Sequence, residues 1–387
     1  MTTPEIQKAQ TAHEEYFLDK GMDVEVETEA DEEPPEIDRP WNPEQIRVNT
    51  KQFSLRNVLD MIDDQSLELA PDFQRRRVWT LGQKSRLIES VLLQIPLPAF
   101  YFAEDGGGLM RVVDGLQRLS TIHEFVRGGD TFGFALRGLE YLGAVEGKQF
   151  EELPAPWKRR MQNAQIVAHV IDPTTPPDLV YDIFMRINTG GTPLNAQEIR
   201  HCMSRDRSRR ILKVMTSTEA FYAVTGMRDH IRMNDREIAL RFAAFWLMGV
   251  EEYPSYAAMD RFLQHATRLL DSPKQVDDAT VARLQQAFTK AMRNARLIFG
   301  EHAFRKWPEW GSAKNPINRA LFETWSLTLA RYDAKDLERR KDAIVARARS
   351  LMTSNSHYLD SITTSTSDVR RVMYRFQAVA DAAEAGK

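Results

Sequence analysis

The stretch Val112-Val113-Asp114-Gly115-Leu116-Gln117-Arg118-Leu119-Ser120-Thr121-Ile122 constrains this chain more than any other. Leu116, Leu119, Ile122, Phe125 and Val126 recur at helical spacing behind a short apolar run. The run therefore reads as a strand that passes through an Asp-Gly turn and opens a helix. One face of that helix packs inward, while Gln117 and Arg118 stay near its mouth. Backbone amides and the positive end of the helix dipole favour an anion at such a mouth, and a guanidinium adds a charge-assisted hydrogen bond to phosphate. The plainer alternative is that Asp114 caps the helix and Arg118 is a solvated surface charge.

A second basic cluster lies upstream. Gln74 precedes three consecutive arginines, Arg75, Arg76 and Arg77, with Trp79 close by and another helix start at Thr80. Thr80 and Gln83 have the spacing of a capping box, and Leu87, Ile88, Val91 and Leu92 supply that helix's inner face. Ile95-Pro96-Leu97-Pro98 ends it, and Ala99 to Ala103 and Leu109 to Val113 read as two strands joined by a glycine turn. Phe132 to Leu136 also reads as a strand, the region from Leu153 to Arg160 as a short helix, and Gln165 to Ile171 as a further strand.

After a loop over Asp172 to Pro177, Val180, Ile183, Phe184 and Ile187 mark a helix that ends at Asn188-Thr189-Gly190-Gly191. Asn and Gly are common helix C-caps, but adjacent glycines also let a backbone approach a ligand closely, and Arg186 and Asn188 offer donors there. Asn195 and Glu198 then cap a new helix, and the rest of the chain reads as mostly helical.

The segments Phe73-Gln74-Arg75, Asp114-Gly115-Leu116-Gln117-Arg118 and Phe184-Met185-Arg186-Ile187-Asn188-Thr189-Gly190-Gly191 occur in the order and approximate spacing of a known family. Together they resemble the ParB-like N-terminal domain of GmrSD-type modification-dependent restriction enzymes and related phage-defence proteins, over residues 45 to 250. The family's usual Asp-Gly-Gln-Gln-Arg here has Leu116 in place of the first glutamine, which bears on any role for that amide and leaves Asp114, Gln117 and Arg118.

The resemblance implies a domain that binds and often hydrolyses an NTP with Mg²⁺, coupling nucleotide state to DNA recognition. In that reading Arg75 and Arg118 hold phosphates, with Gln74, Gly115 and Arg186 in the same pocket. Asp114 binds the metal or orients the attacking water, Gln117 positions that water, and Asn188, Gly190 and Gly191 form the opposite wall. Asp114, Gln117 and Arg118 are thus the catalytic candidates. Two alternatives stay open. One is a nucleotide-sensing DNA-binding module without turnover; the other is a metal-dependent nuclease using Asp72, Asp114 and Glu89. A P-loop enzyme is excluded, because no Gly-x-x-x-x-Gly-Lys-[Ser/Thr] segment is present.

Many relatives carry a C-terminal HNH nuclease, for which the scattered histidines here offer no paired constellation. The one cysteine, Cys202, leaves no zinc site of the usual spacings. Cutting would then fall to a separate nuclease subunit, and a homo-oligomer is compatible with the sequence. The lone cysteine also suits a reducing compartment, and the absence of a signal peptide or a long apolar run points to a cytoplasmic protein without a membrane partner.

The net charge of −3 conceals an asymmetry. Residues 1–40 hold thirteen Asp and Glu against three Lys and Arg, a balance of −10, and residues 41–387 carry +7. The expected organisation is an acidic, disordered tail over 1–40, a ParB-like NTP-binding domain over 41–194 and a helical domain over 195–387, an α+β protein. The tail either serves solubility or competes with nucleic acid for the basic body. Arg205, Arg207, Arg209 and Arg210 are the candidate contacts to a DNA backbone, or else a solvated face.

Overall fold

The computed structural model describes residues 26–27, 46–69, 79–128, 133–187, 194–256 and 258–387. The chain divides into two compact units, one over Asp38–Met203 and one over Ser204–Lys387, to which Val26 and Glu27 also belong.

The first unit runs β1 (Val48–Ser54), α1 (Leu55–Asp63), β2 (Leu67–Glu68), α2 (Leu81–Leu92), β3 (Phe100–Glu104), β4 (Met110–Asp114) and α3 (Leu116–Arg127), then α4 (Ala155–Asn163), β5 (Gln165–Ile171), α5 (Pro177–Ile187) and α6 (Ala196–Met203). Its five strands form one mixed sheet in the order β1-β5-β3-β4-β2. β3 and β4 make the expected antiparallel hairpin. The Asp105 carboxylate closes its turn by accepting the Gly107 and Leu109 amides at 2.9 and 3.1 Å. β5 lies parallel to β3 and antiparallel to β1.

Strand periodicity explains why the sheet is covered on both faces. Phe100, Phe102, Val112, Ile166, Ala168 and Val170 enter one apolar cluster with Leu87, Ile88, Leu119, Ile122 and Phe125 of α2 and α3. Val113 and Ile171 enter another with Tyr181 and Phe184 of α5 and Ile199 and Cys202 of α6. The sequence reading placed α6 in the helical part, with the boundary after residue 194. Its apolar face instead belongs to the sheet's second cluster, and the division falls after Met203.

α2 starts as expected, with the Thr80–Gln83 capping box formed in both directions. The strand expected over Phe132–Leu136 does not form at Gly133–Leu136. Leu136 instead bonds to loop backbone, donating to Lys148 at 3.0 Å and accepting from Gly147 at 2.8 Å, while Phe134 packs on Phe125 with ring centroids 5.2 Å apart. α2 holds this loop through two polar side chains. Ser85 Oγ accepts from the Arg137 amide at 2.9 Å, and the buried Glu89 carboxylate accepts from the Glu140, Tyr141 and Leu142 amides at 3.1, 2.7 and 2.8 Å.

The second unit is helical: α7 (Asp206–Thr216), α8 (Glu219–Thr225), α9 (Asn234–Met248), α10 (Met259–Leu270), α11 (Asp278–Phe299), α12 (Arg319–Leu329), α13 (Ala334–Ser354), α14 (Ser356–Thr363) and α15 (Val369–Ala383). α9 and α15 both feed one large core. That core is not purely apolar. Arg375 of α15 and Glu323 of α12 are both fully buried and paired, and Arg241 bridges Glu323 at 3.2 Å and Glu237 at 3.0 Å. Arg375 also donates to the Ser361 carbonyl at 2.9 Å. Such charges are tolerated only when paired and hydrogen-bonded throughout.

Of the acidic segment expected to be disordered, the structure describes Val26, which forms a parallel bridge with Ile317, and Glu27, whose amide donates to the Ile317 carbonyl at 2.8 Å.

The carboxylate of Glu89 yields a pH-dependent test. Burial by itself raises a carboxyl pKa, but the three loop amides and Arg86 outweigh it and hold Glu89 below the usual range. A carboxylate depressed in the folded state stabilises above its unfolded value of about 4.3 and loses that contribution as pH falls through its folded value. Glu89→Gln should therefore cost about 1–3 kcal/mol at neutral pH. In denaturant titrations the gap to wild type should narrow in acid; a constant gap down to about pH 3 would separate loop anchoring from the charge.

Candidate functional site

β4 hands over to α3 at Gly115, which has φ +93° and ψ 10° and acts as the N-cap without a side-chain cap bond. Glycine is required here twice over. The positive φ disfavours any Cβ, and a Cβ would lie 2.2 Å from Cδ1 and 2.8 Å from Cε1 of the fully buried Phe100 ring. The turn thus carries Asp114 on one side and the first amides of an amphipathic helix on the other.

Arg118 does not project from the helix mouth as a ligand-facing cation. It folds back along the turn, donating from Nη2 to Asp114 Oδ2 at 2.8 Å and to the Ala99 carbonyl at 3.3 Å, and from Nη1 to the Pro98 carbonyl. Its guanidinium lies 4.4 Å from the Phe100 ring centroid, over the ring face. The side chain is 13% exposed, whereas Asp114 keeps 38%. Desolvation pulls the Arg118 pKa down from its ordinary value, against the opposing attraction of Asp114. Arg118 thus joins the β3 entrance to the turn and holds the more exposed Asp114 carboxylate in place. Gln117 sits half-buried in the same first turn.

Sheet register adds residues that sequence reading passed over. Thr50, His169, Tyr101 and Asp114 are successive cross-strand partners over β1, β5, β3 and β4. Thr50 Oγ1 lies 3.0 Å from His169 Nδ1, and the His169 and Tyr101 rings are 4.9 Å apart. A polar, aromatic row thus leads across the sheet to the Asp-Gly turn. His169 occupies a polar position in an alternating strand, but only strand order reveals its neighbours.

Of the other expected nucleotide contacts, Arg186 is exposed in the last turn of α5. Gln74, Arg75, Asn188, Gly190 and Gly191 lie outside the described residues, as does Asp72. The metal-dependent nuclease reading also called on Glu89, whose carboxylate is occupied by three backbone amides. Among the described residues no group of three or more His, Cys, Asp or Glu could hold a metal ion. Asp114 suits the lesser demand of Mg²⁺, which commonly takes one or two carboxylates together with substrate phosphates and waters.

α6 carries a second set of polar groups. Asn195 and Glu198 form the expected capping box, with both bonds at 2.7–2.8 Å. Glu198 is fully buried, and Arg200 donates to Gln197 at 3.0 Å inside the unit. Amphipathic reading hides such residues, since burial of a polar side chain depends on partners distant in sequence.

The four arginines proposed for DNA contact divide by geometry. Arg207 donates to the Leu270 carbonyl at 2.6 Å and to Asp278 at 2.8 Å, and Arg209 is buried with its Nε 3.3 Å from Ser204 Oγ. These two tie α7 into the helical unit. Arg205 and Arg210 are exposed, the latter paired with Asp206 at 2.8 Å. The cluster is therefore not one continuous basic face, because its two middle members, Arg207 and Arg209, turn inward.

Two substitutions test the turn. Arg118→Ala should lower the melting temperature even without any ligand, at a cost of about 2 kcal/mol, because it strands two carbonyls and releases Asp114. Gly115→Ala should cost about as much or more, since Phe100 must move and φ is unfavourable. Thermal melts of the two variants check this; an Arg118→Ala protein as stable as wild type would return the side chain to a free, ligand-facing role.

Residues 55–203 match the family described as GmrSD restriction endonuclease, N-terminal domain. The span opens at the first residue of α1 and closes at the last residue of α6, so it covers the helices of the first unit and four strands of its sheet, with β1 just ahead of it. No curated protein matches the chain. No helix among the described residues is long and apolar enough to cross a membrane. The match covers 149 of the 387 residues, and it is the sheet-bearing unit of this chain that resembles the N-terminal domain of GmrSD restriction endonucleases.

Proposed function

We propose that this protein serves bacterial restriction or defence by binding, and hydrolysing, a nucleoside triphosphate and coupling the nucleotide's state to DNA recognition. The observation that carries this reading is the Asp114-Gly115 turn. A glycine-only conformation opens a helix with no side-chain cap, next to a carboxylate that is oriented by Arg118 and still exposed. Helix amides attract phosphate oxygens, and Asp114 has the chemistry to hold Mg²⁺ or to accept a proton from water. The metal, when bound, would neutralise charge developing on the phosphates. Gln117 lies on the same turn and can orient water, while Tyr101 and His169 offer aromatic surface beside it. Little covalent chemistry is asked of the protein, since phosphoryl transfer depends mainly on positioning and charge.

A nucleotide-sensing module without turnover is the second reading. It draws support from the single carboxylate of the described turn, because binding alone biases a conformational equilibrium when the ligand prefers one state. A separate nuclease subunit fits either reading.

Melting curves and phosphate release with each ribonucleoside triphosphate and Mg²⁺, with and without duplex DNA, test the proposal. One triphosphate should raise the melting temperature by mass action, and be hydrolysed. Asp114→Asn should retain most of the fold and reduce release at least about a hundredfold. Stabilisation without release would select the sensing module, and neither effect with any triphosphate would remove the nucleotide reading altogether.

A further inference from the structure

Glu27 is the best-paired residue of the acidic segment that the structure describes. Its amide donates to the Ile317 carbonyl at 2.8 Å, and its carbonyl accepts from Arg319 at 2.8 Å. One carboxylate oxygen pairs with Lys306 and the other accepts from Asn318 Nδ2 at 2.7 Å. Val26 pairs with Ile317 in a parallel bridge and packs against the helical core. Main-chain bonds combined with side-chain capture are how proteins receive an extended peptide as an added strand.

The receiving side is built independently of Glu27. Asn318 caps α12 by accepting the Leu321 amide at 2.9 Å, and its Nδ2 also donates to the Ile362 carbonyl at 2.7 Å. Arg319 is braced by Glu237 at 3.1 Å, and Ile317 also bridges to Arg305. A slot held by its own framework binds with less ordering cost. It also lies at a helix N-terminus, where a carboxylate is favoured by the dipole.

Charge points to the same occupant. Residues 204–387 contain 31 Lys and Arg against 22 Asp and Glu, a surplus of +9, whereas residues 41–203 contain 18 against 20. The positive excess of the chain therefore resides in the unit that receives Glu27, and residues 1–40 carry −10.

We propose that the Ile317–Arg319 slot with Lys306 is a docking site for an aliphatic-Glu peptide, that its resident ligand is the chain's own Val26–Glu27, and that docking holds the acidic segment on the basic helical unit as a competitor for a nucleic-acid phosphate backbone. The competition rests on the DNA-recognition reading above; the docking itself does not. Both contacts draw on one electrostatic reservoir, so the competition weakens as salt screens it.

Hydrogen exchange and duplex binding on the full-length chain test the two parts separately. Glu27→Ala should speed exchange of the residue 27 amide by about tenfold or more while α12 stays protected. Glu29→Ala removes the same charge two residues away and should leave that amide protected. Pairing Glu27→Lys with Lys306→Glu should restore the ion pair but not the bond from Asn318, and so recover part of the protection. In a salt titration on one duplex, Glu27→Ala should bind about three- to tenfold more tightly at low salt, Glu29→Ala much less so, and the curves should converge at high salt. Unchanged exchange in Glu27→Ala, or equal release by Glu29→Ala, overturns the docking site. Released exchange with unchanged duplex affinity overturns the competition. If no protein binds duplex at any salt, the DNA reading fails and the competition with it, while exchange alone still decides the docking site.

Discussion

The contact between the Phe100 ring and Gly115 governs the candidate site. No side chain fits at position 115 because the ring closes to within 2.2 Å of where a Cβ would stand. The close approach brings the start of β3 against the end of β4, and that proximity lets one side chain, Arg118, reach Pro98, Ala99 and Asp114 together while covering the ring. Each of these contacts presupposes the others. The consequence for chemistry is that the cation serves the carboxylate: Arg118 spends its donors on protein oxygens, and Asp114 is the group left accessible to a ligand.

Much of the fold was legible because it depends on local rules. Thr80 with Gln83, and Asn195 with Glu198, announce helix starts by a spacing of three residues, and both capping boxes form. The alternation in Gln165–Ile171 and the glycine turn before Met110 likewise specify strands from adjacent residues. The Asp-Gly turn was legible as a strand-to-helix junction for the same reason. Arg118 was legible as a residue near that junction but not in its direction, because its acceptors lie about twenty positions upstream and become neighbours only through the hairpin.

The misreadings share a cause. Gly133–Leu136 has strand-like composition, but Ser85 and Glu89 of α2 engage the loop that follows, and its apolar side chains fill the core without joining a ladder. Arg375 occupies an apolar helix and finds Glu323, over fifty positions earlier in the chain, to make burial possible. The row from Thr50 through His169 and Tyr101 to Asp114 needs the strand order, and parallel pairing of β3 with β5 is not encoded in either strand alone. Side chains whose partners are non-local carry no periodic signal in the sequence.

The same distinction decides how the arginines of the helical unit should be counted. Arg375 pairs with Glu323, Arg241 with Glu237 and Glu323, and Arg340 with Asp336, so these cations belong to the interior and have their charge matched there. Burial of an unmatched charge is too costly to be common. Internal pairs cancel approximately one for one, and removing them from the count leaves the surplus of the unit almost unchanged. Much of that surplus is carried by exposed cations such as Arg205, and long-range attraction for anions depends on unmatched surface charge and not on the number of arginines in a sequence window. In the docking proposal, an acidic segment held at Glu27 and a phosphate backbone would meet the same field, and a short ordered contact at the edge of the core would thereby gain leverage over binding elsewhere on the unit.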